Sequence, residues 1–196
     1  MPNSTENKAY TKVAIFLHWL IATAIIGQII AGLWMVDAIR VKDTQKIAYD
    51  VYQWHKAIGL TILTLSLLRL VWRLTHKAPA YPKHMTKFEK FAAHSSHSLF
   101  YIFMISIPLA GWAMVSVSIY GLPTMYFDLF EWPHIPFLVT LENKTDLEPI
   151  FKEIHEYLAF GTIGLLILHV GAALKHHYID KDNVLKRMIP FLKVRS

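Results

Sequence analysis

The chain of 196 residues contains no cysteine. That excludes disulfides, thiolate-bound zinc, iron–sulfur clusters and covalent haem attachment through a CxxCH motif. The exclusion does not reach groups held noncovalently by histidine. Charge is also scarce. Asp, Glu, Lys and Arg make up 17% of the chain, against about 25% in a typical soluble domain. Hydrophobic residues make up 54%. A membrane protein is the class this composition selects first. Internal repeats, low-complexity tracts and domain linkers are missing too, so residues 1–196 read as a single domain.

Four apolar stretches are present, at about 13–36, 51–72, 97–120 and 154–174. A bilayer core takes about 20 apolar residues as a helix, so each stretch suffices to span. The first exceeds the about 7–15 apolar residues of a signal peptide and has no small-residue cleavage site after it, so it reads as a retained span. The segment GLPTMYFDLFEWPHIP, residues 121–136, is aromatic and broken by proline. It belongs at the membrane surface, where Trp and Tyr gather. The expected fold is an all-α membrane protein, a four-transmembrane-helix bundle.

The formal net charge is +6, and its distribution decides what it means. Residues 1–12 carry +1, 37–50 carry zero, 73–96 carry +4, 121–153 carry −4 and 175–196 carry +4. The positive segments alternate with the others. By the positive-inside rule both termini are cytoplasmic. The basic excess is then a topology signal, and nucleic acid is not an expected partner; membrane lipid is.

Ionisable residues inside spans usually face the bundle interior and mark function. His155 and His169 lie fourteen residues apart in EIHEYLAFGTIGLLILH, with Glu156 as the one charge between them. Fourteen residues at about 100° each come within about 40° of four whole turns, so both histidines share a helix face. At about 1.5 Å per residue they stand about 21 Å apart, too far for one metal and suited to two stacked sites. Depth supplies the partners. His18 lies near the cytoplasmic end of the first span, level with His169. His55 lies near the outer end of the second, level with His155. Zinc or copper needs several ligands close together. Single histidines facing each other across apolar surroundings suit a six-coordinate b-type haem, with no open position for oxygen.

Two further residues repeat the spacing. Gly32 falls fourteen after His18, at the depth of the outer pair, where a missing side chain leaves room for a planar ring. Plain helix packing is the alternative. Arg69 falls fourteen after His55, at the inner depth, and suits a buried carboxylate such as a haem propionate. Snorkelling to the surface is its alternative. His94, His97 and Tyr101 share a face at the start of the third span. They compete for the inner site or hydrogen-bond a haem edge or quinone. His176 and His177, with Trp19, are candidates for a cytoplasmic-side quinone site, against simple interfacial placement. His84 and His134 read as surface histidines.

The motifs FLHWL (16–20), QWHKAIG (53–59), AHSSHSLFY (93–101), EIHEYLA (153–159) and HVGAALKHHYIDKDNVLKRMIP (169–190) resemble, in order and spacing, the bacterial cytochrome b561 family. The resemblance implies two noncovalent b haems with His18, His55, His155 and His169 as axial ligands, in the bacterial inner membrane. It further implies electron transfer to ubiquinone, with superoxide as the outer donor. For that anion, Arg40, Lys42, Lys46 and Lys56 are the expected positive residues near an outer haem lying shallow in the membrane. The alternative is a cytochrome b anchor subunit for a partner dehydrogenase or hydrogenase. Short loops favour the stand-alone oxidoreductase.

Overall fold

The structure, a computed structural model, describes residues 9–192. Four long helices dominate it: α1 (Lys12–Ala38), α2 (Gln45–Thr75), α3 (Lys87–Val117) and α5 (Lys144–Tyr178). All four are long and apolar enough to cross a membrane. Each extends past the apolar stretch that signals it, except that α3 stops at Val117. At about 1.5 Å per residue, the 35 residues of α5 reach about 52 Å, well beyond a hydrocarbon core of about 30 Å.

Local signals set the helix starts. Thr11 caps α1, its hydroxyl accepting from the Ala14 amide at 3.2 Å. Thr86 and Glu89 form a reciprocal capping box at the start of α3. The hydroxyl of Thr11 also accepts from the Trp72 indole at 3.0 Å, which ties the start of α1 to the end of α2. A short turn joins α1 and α2 as an antiparallel pair.

Large apolar side chains point outward on every long helix; Phe16 is 65% exposed and Leu168 71%. In water such a surface would aggregate, and in lipid it is satisfied. The interior core is small: Ile21, Ile62 and Met104 meet with Ile25, Leu65 and Phe100 packed around them. Helix α3 packs along α5, and α1 packs along α2, with α2 also against α3. Helix α5 makes no comparable backbone packing with α1 or α2. Helix α5 thus meets the α1–α2 pair through side chains, and the histidine rings face each other there.

The aromatic, proline-broken segment between α3 and α5 is ordered. It folds into an antiparallel hairpin, β1 (Thr124–Tyr126) and β2 (Phe130–Trp132), followed by a single helical turn, α4 (Pro136–Val139). Phe127 and Asp128 both take positive φ at the tip, 49° and 58°. Three contacts pin the hairpin region to α2. Lys56 Nζ donates to the Pro123 carbonyl at 2.7 Å, Gln53 accepts from the Met125 amide at 3.2 Å, and Thr61 shares a hydrogen bond with Tyr126 at 3.1 Å.

Candidate functional site

Helix α5 carries one histidine of each pair. His18 of α1 and His169 have ring centroids 6.3 Å apart, at 55° between planes. His55 of α2 and His155 have centroids 6.2 Å apart, at 63°. A metal–imidazole bond of about 2.0–2.1 Å, plus about 1.1 Å from nitrogen to ring centre, puts two trans imidazoles on one metal with centroids about 6.3 Å apart. Both pairs have that spacing. They can be named by their neighbours: the arginine end (His18, His169) and the glycine end (His55, His155).

At the glycine end, His155 Nδ1 donates to the carbonyl of Ile107 at 2.9 Å. This fixes the tautomer and leaves Nε2 bare, the arrangement metal-bound histidines adopt. Pro108, next to that carbonyl, removes one bond from the α3 ladder. His55 Nδ1 is buried without a hydrogen-bond partner. Its backbone carbonyl accepts from Gln28 at 2.7 Å.

Two glycines back these rings. A Cβ at Gly32 would stand 3.4 Å from His55 Cε1. A Cβ at Gly111 of α3 would stand 3.2 Å from both Cε1 and Nδ1 of His155. Gly32 thus lies at the depth its spacing indicates, against the ring of His55. Gly111 was missed, because nothing in its spacing points to a ligand; it follows only from the packing of α3 on α5. A cavity of about 410 Å³ lies beside this pair, lined by Gly27, Gln28, Ala31, Trp54, His55 and Ile58 among others.

At the arginine end, Arg69 Nη2 lies 3.1 Å from His18 Nδ1. Guanidinium only donates, so His18 Nδ1 accepts and carries no proton. Arg69 also lies over the ring of Tyr101, 5.7 Å from its centroid. His97 and Phe100 flank His169, with centroid distances of 5.8 and 5.2 Å. His97 therefore joins this end, while His94 is exposed.

The remaining candidates separate. Trp19 stands edge-on to His18 at 5.2 Å, and its indole donates to the Met188 carbonyl at 2.8 Å. His177 packs edge-on to Tyr178. His176 is buried, with Nδ1 2.7 Å from Asp182 and 3.1 Å from Asp180. His84 is exposed, as expected of a surface histidine, and its ring also bonds Asp182 at 3.0 Å, a contact across 98 residues that no local pattern signals. One expectation needs correction. Lys56 is spent on the Pro123 carbonyl and is not a free surface cation. Helix α2 begins at Gln45 and α5 at Lys144, so His55 and His155 lie about 15 Å along their helices rather than at the helix starts.

Four apolar helices that bring histidines together in two facing pairs define the class: a multi-pass membrane protein with imidazoles gathered between its helices. The unpaired Nδ1 of His55, the bare Nε2 of His155 and the glycines behind both rings fit a metal-centred group. The comparisons are more particular. The model of the family described as prokaryotic cytochrome b561 matches residues 9–191, so the chain belongs to that family of haem-binding electron-transport proteins of bacterial membranes. It is 28% identical to cytochrome b561 homolog 2 of Escherichia coli (strain K12), over 92% of this chain and 90% of that protein. It is 29% identical to the probable superoxide oxidase CybB of Yersinia pestis, over 94% of this chain and 97% of that protein. It is 28% identical to cytochrome b562 of Cereibacter sphaeroides, over 94% and 98%.

Proposed function

We propose that this oxidoreductase is a single-domain dihaem cytochrome of the inner membrane, taking electrons from superoxide on the outer face and delivering them to ubiquinone. The observation that carries the reading is the pair of histidine couples of equal spacing, one four-turn step apart on α5. His18 with His169, and His55 with His155, are the proposed axial ligands of the two b haems. The basic segments at both chain ends and between α2 and α3 support cytoplasmic termini. The arginine end is then inner and the glycine end outer.

Held by these histidines, haem iron would supply one-electron transfer. The chain's own residues do the rest. The Ile107 carbonyl orients His155. Gly32 and Gly111 let α1 and α3 approach the rings. Apolar Ile21, Ile62 and Met104 fill the bundle and keep water out between the levels.

Arg69 has a distinct task. A neutral imidazole that binds metal through Nε2 carries its proton on Nδ1. His18 Nδ1 then has no lone pair for Arg69, which needs another acceptor. A carboxylate at the edge of the bound group would meet that need by charge-assisted bonds. His97, within the same cluster, is proposed to line that edge.

Two superoxide anions yield two molecules of oxygen and two electrons. Ubiquinone takes two electrons and two protons to become quinol. Support for superoxide comes from the relative named a probable superoxide oxidase. Arg40, Lys42 and Lys46 are exposed near the outer surface, although Arg40 lies 4.0 Å from Asp37. The quinone is placed on the inner side, near Trp19 and the His176–His177 turn. Stopped-flow mixing of the oxidised protein with superoxide, with and without ubiquinone, tests the reading. Haem reduction within seconds, followed by reoxidation when quinone is present, is expected. No reduction by superoxide would transfer the case to the anchor-subunit reading, in which a partner protein copurifies.

A further inference from the structure

We propose that His84, His176 and Asp182 form a binding site for a divalent transition-metal cation of the Zn²⁺ class, separate from both histidine pairs. One ligand atom from each of the three lies within 4.8 Å of the other two. They come from three parts of the chain: the loop before α3, the last turn of α5 and the tail beyond it. His176 follows His169 by seven residues, or about 10 Å along the helix axis, so the cluster and the arginine-end pair do not share ligands.

The donor set has the character of a metal site. Asp182 Oδ2 faces His84 Nε2 at 3.0 Å and His176 Nδ1 at 2.7 Å. His176 and Asp182 are buried, while His84 reaches in from the surface with its side chain 53% exposed. Asp182 Oδ1 accepts from the Val184 amide at 2.9 Å, the kind of supporting bond that orients a ligating carboxylate. Two imidazole nitrogens converge on the one oxygen Asp182 Oδ2, and a second carboxylate oxygen, from Asp180, stands 3.1 Å from His176 Nδ1, so anionic and imidazole donors are gathered around a single point. The adjacent cation, Lys175, is engaged by Glu89 and Asp180 and does not reach Asp182. A divalent cation among the three donors satisfies both imidazoles and the carboxylate at once. Two imidazole nitrogens with one carboxylate suit Zn²⁺ and its transition-metal neighbours, whereas Mg²⁺ and Ca²⁺ take oxygen. Bound there, the cation would fasten the tail after α5 to the loop before α3.

The test uses the full-length haem-loaded protein, made without a polyhistidine tag and stripped with chelator. It is titrated with ZnCl₂ against a chromophoric chelator, with MgCl₂ as a parallel arm. One Zn²⁺ per chain, undisturbed by excess Mg²⁺ and without change in the haem spectrum, is the expected result. His84→Gln replaces a half-exposed side chain and leaves the buried pair intact, so its fold is safe. It should weaken Zn²⁺ binding by more than about 100-fold, beyond what losing a merely supporting bond costs. Asp182→Asn should do the same, and His76→Ala, exposed and outside the cluster, should not. Absence of saturable binding, wild-type affinity in His84→Gln, or haem loss in proportion to bound zinc would each overturn the site.

Discussion

At the glycine end, His155 gives its Nδ1 proton to a backbone carbonyl and already stands as a metal-bound imidazole stands. At the arginine end, His18 accepts from Arg69 through the same ring atom, the reverse of what ligation needs. The glycine end is shaped by sterics: two helix backbones come within a methyl group's reach of the rings. The arginine end is shaped by charge and by a crowd of rings, His97, Phe100 and Tyr101. Two pairs of equal ring spacing are thus built by different means. With a haem in each pair, as proposed, the difference would separate the two potentials, because the surroundings of a haem set its potential.

The sharpest way to break the comparison is to remove one imidazole at a time. His155→Ala or His55→Ala should lose the glycine-end haem and keep the other, halving the haem content. His18→Ala or His169→Ala should remove the other half. Haem content per chain, with the spectrum of what remains, reads the outcome. Loss of the same spectral component from His55→Ala and His169→Ala would show that the pairs are wrongly assembled.

Smaller changes sharpen it. Gly111→Leu puts a branched side chain where a Cβ alone would sit 3.2 Å from His155. It should displace the glycine-end haem nearly as well as His155→Ala. Gly111→Ala should instead destabilise by about 1–3 kcal/mol, the ordinary cost of overpacking. Gly32→Ala, with a wider 3.4 Å, should cost less. Thermal melts followed by haem absorbance rank the three; a Gly32→Ala effect larger than that of Gly111→Ala would reverse the account of which ring is more tightly backed. Arg69→Leu should shift the midpoint potential of the arginine-end haem and leave the glycine-end haem near its wild-type value. Equal shifts in redox titration would remove Arg69 from a role at one site.

The smallest effect lies outside the spans. Burial alone would raise the Asp182 carboxyl, but the Val184 amide and the His176 and His84 rings bring it below the usual carboxylate value. Its folded form is favoured ionised, so its contribution is present above the ordinary Asp range and fades as pH falls through the depressed value. In chelated buffer, Asp182→Asn should lower the melting temperature modestly at neutral pH. The difference from wild type should shrink in strong acid. A gap that widened as pH fell would contradict the sign.

Much of this was legible from the residues. Apolar length located the four helices, since a bilayer imposes a length on any span. A fourteen-residue step on α5, matched against depth, brings His18 to His169 and His55 to His155, the same rings the structure places about one metal-bridged spacing apart. That arithmetic works because helix periodicity is rigid. What escaped depends on contacts between distant segments. Gly111 meets His155 only because α3 lies along α5. His84 meets Asp182 across 98 residues. The hairpin escaped because its aromatic, proline-broken sequence shows no period, and its pairing rests on positive φ at Phe127 and Asp128, where glycine or asparagine is the usual signal.

The central claim is that each histidine couple holds one haem. The most direct measurement is a pyridine haemochrome assay on the purified wild-type chain, read with its low-temperature electron paramagnetic resonance spectrum. Two noncovalent b haems per chain, both low-spin, are the expected result. One haem per chain, or a high-spin signal from the intact protein, would contradict it.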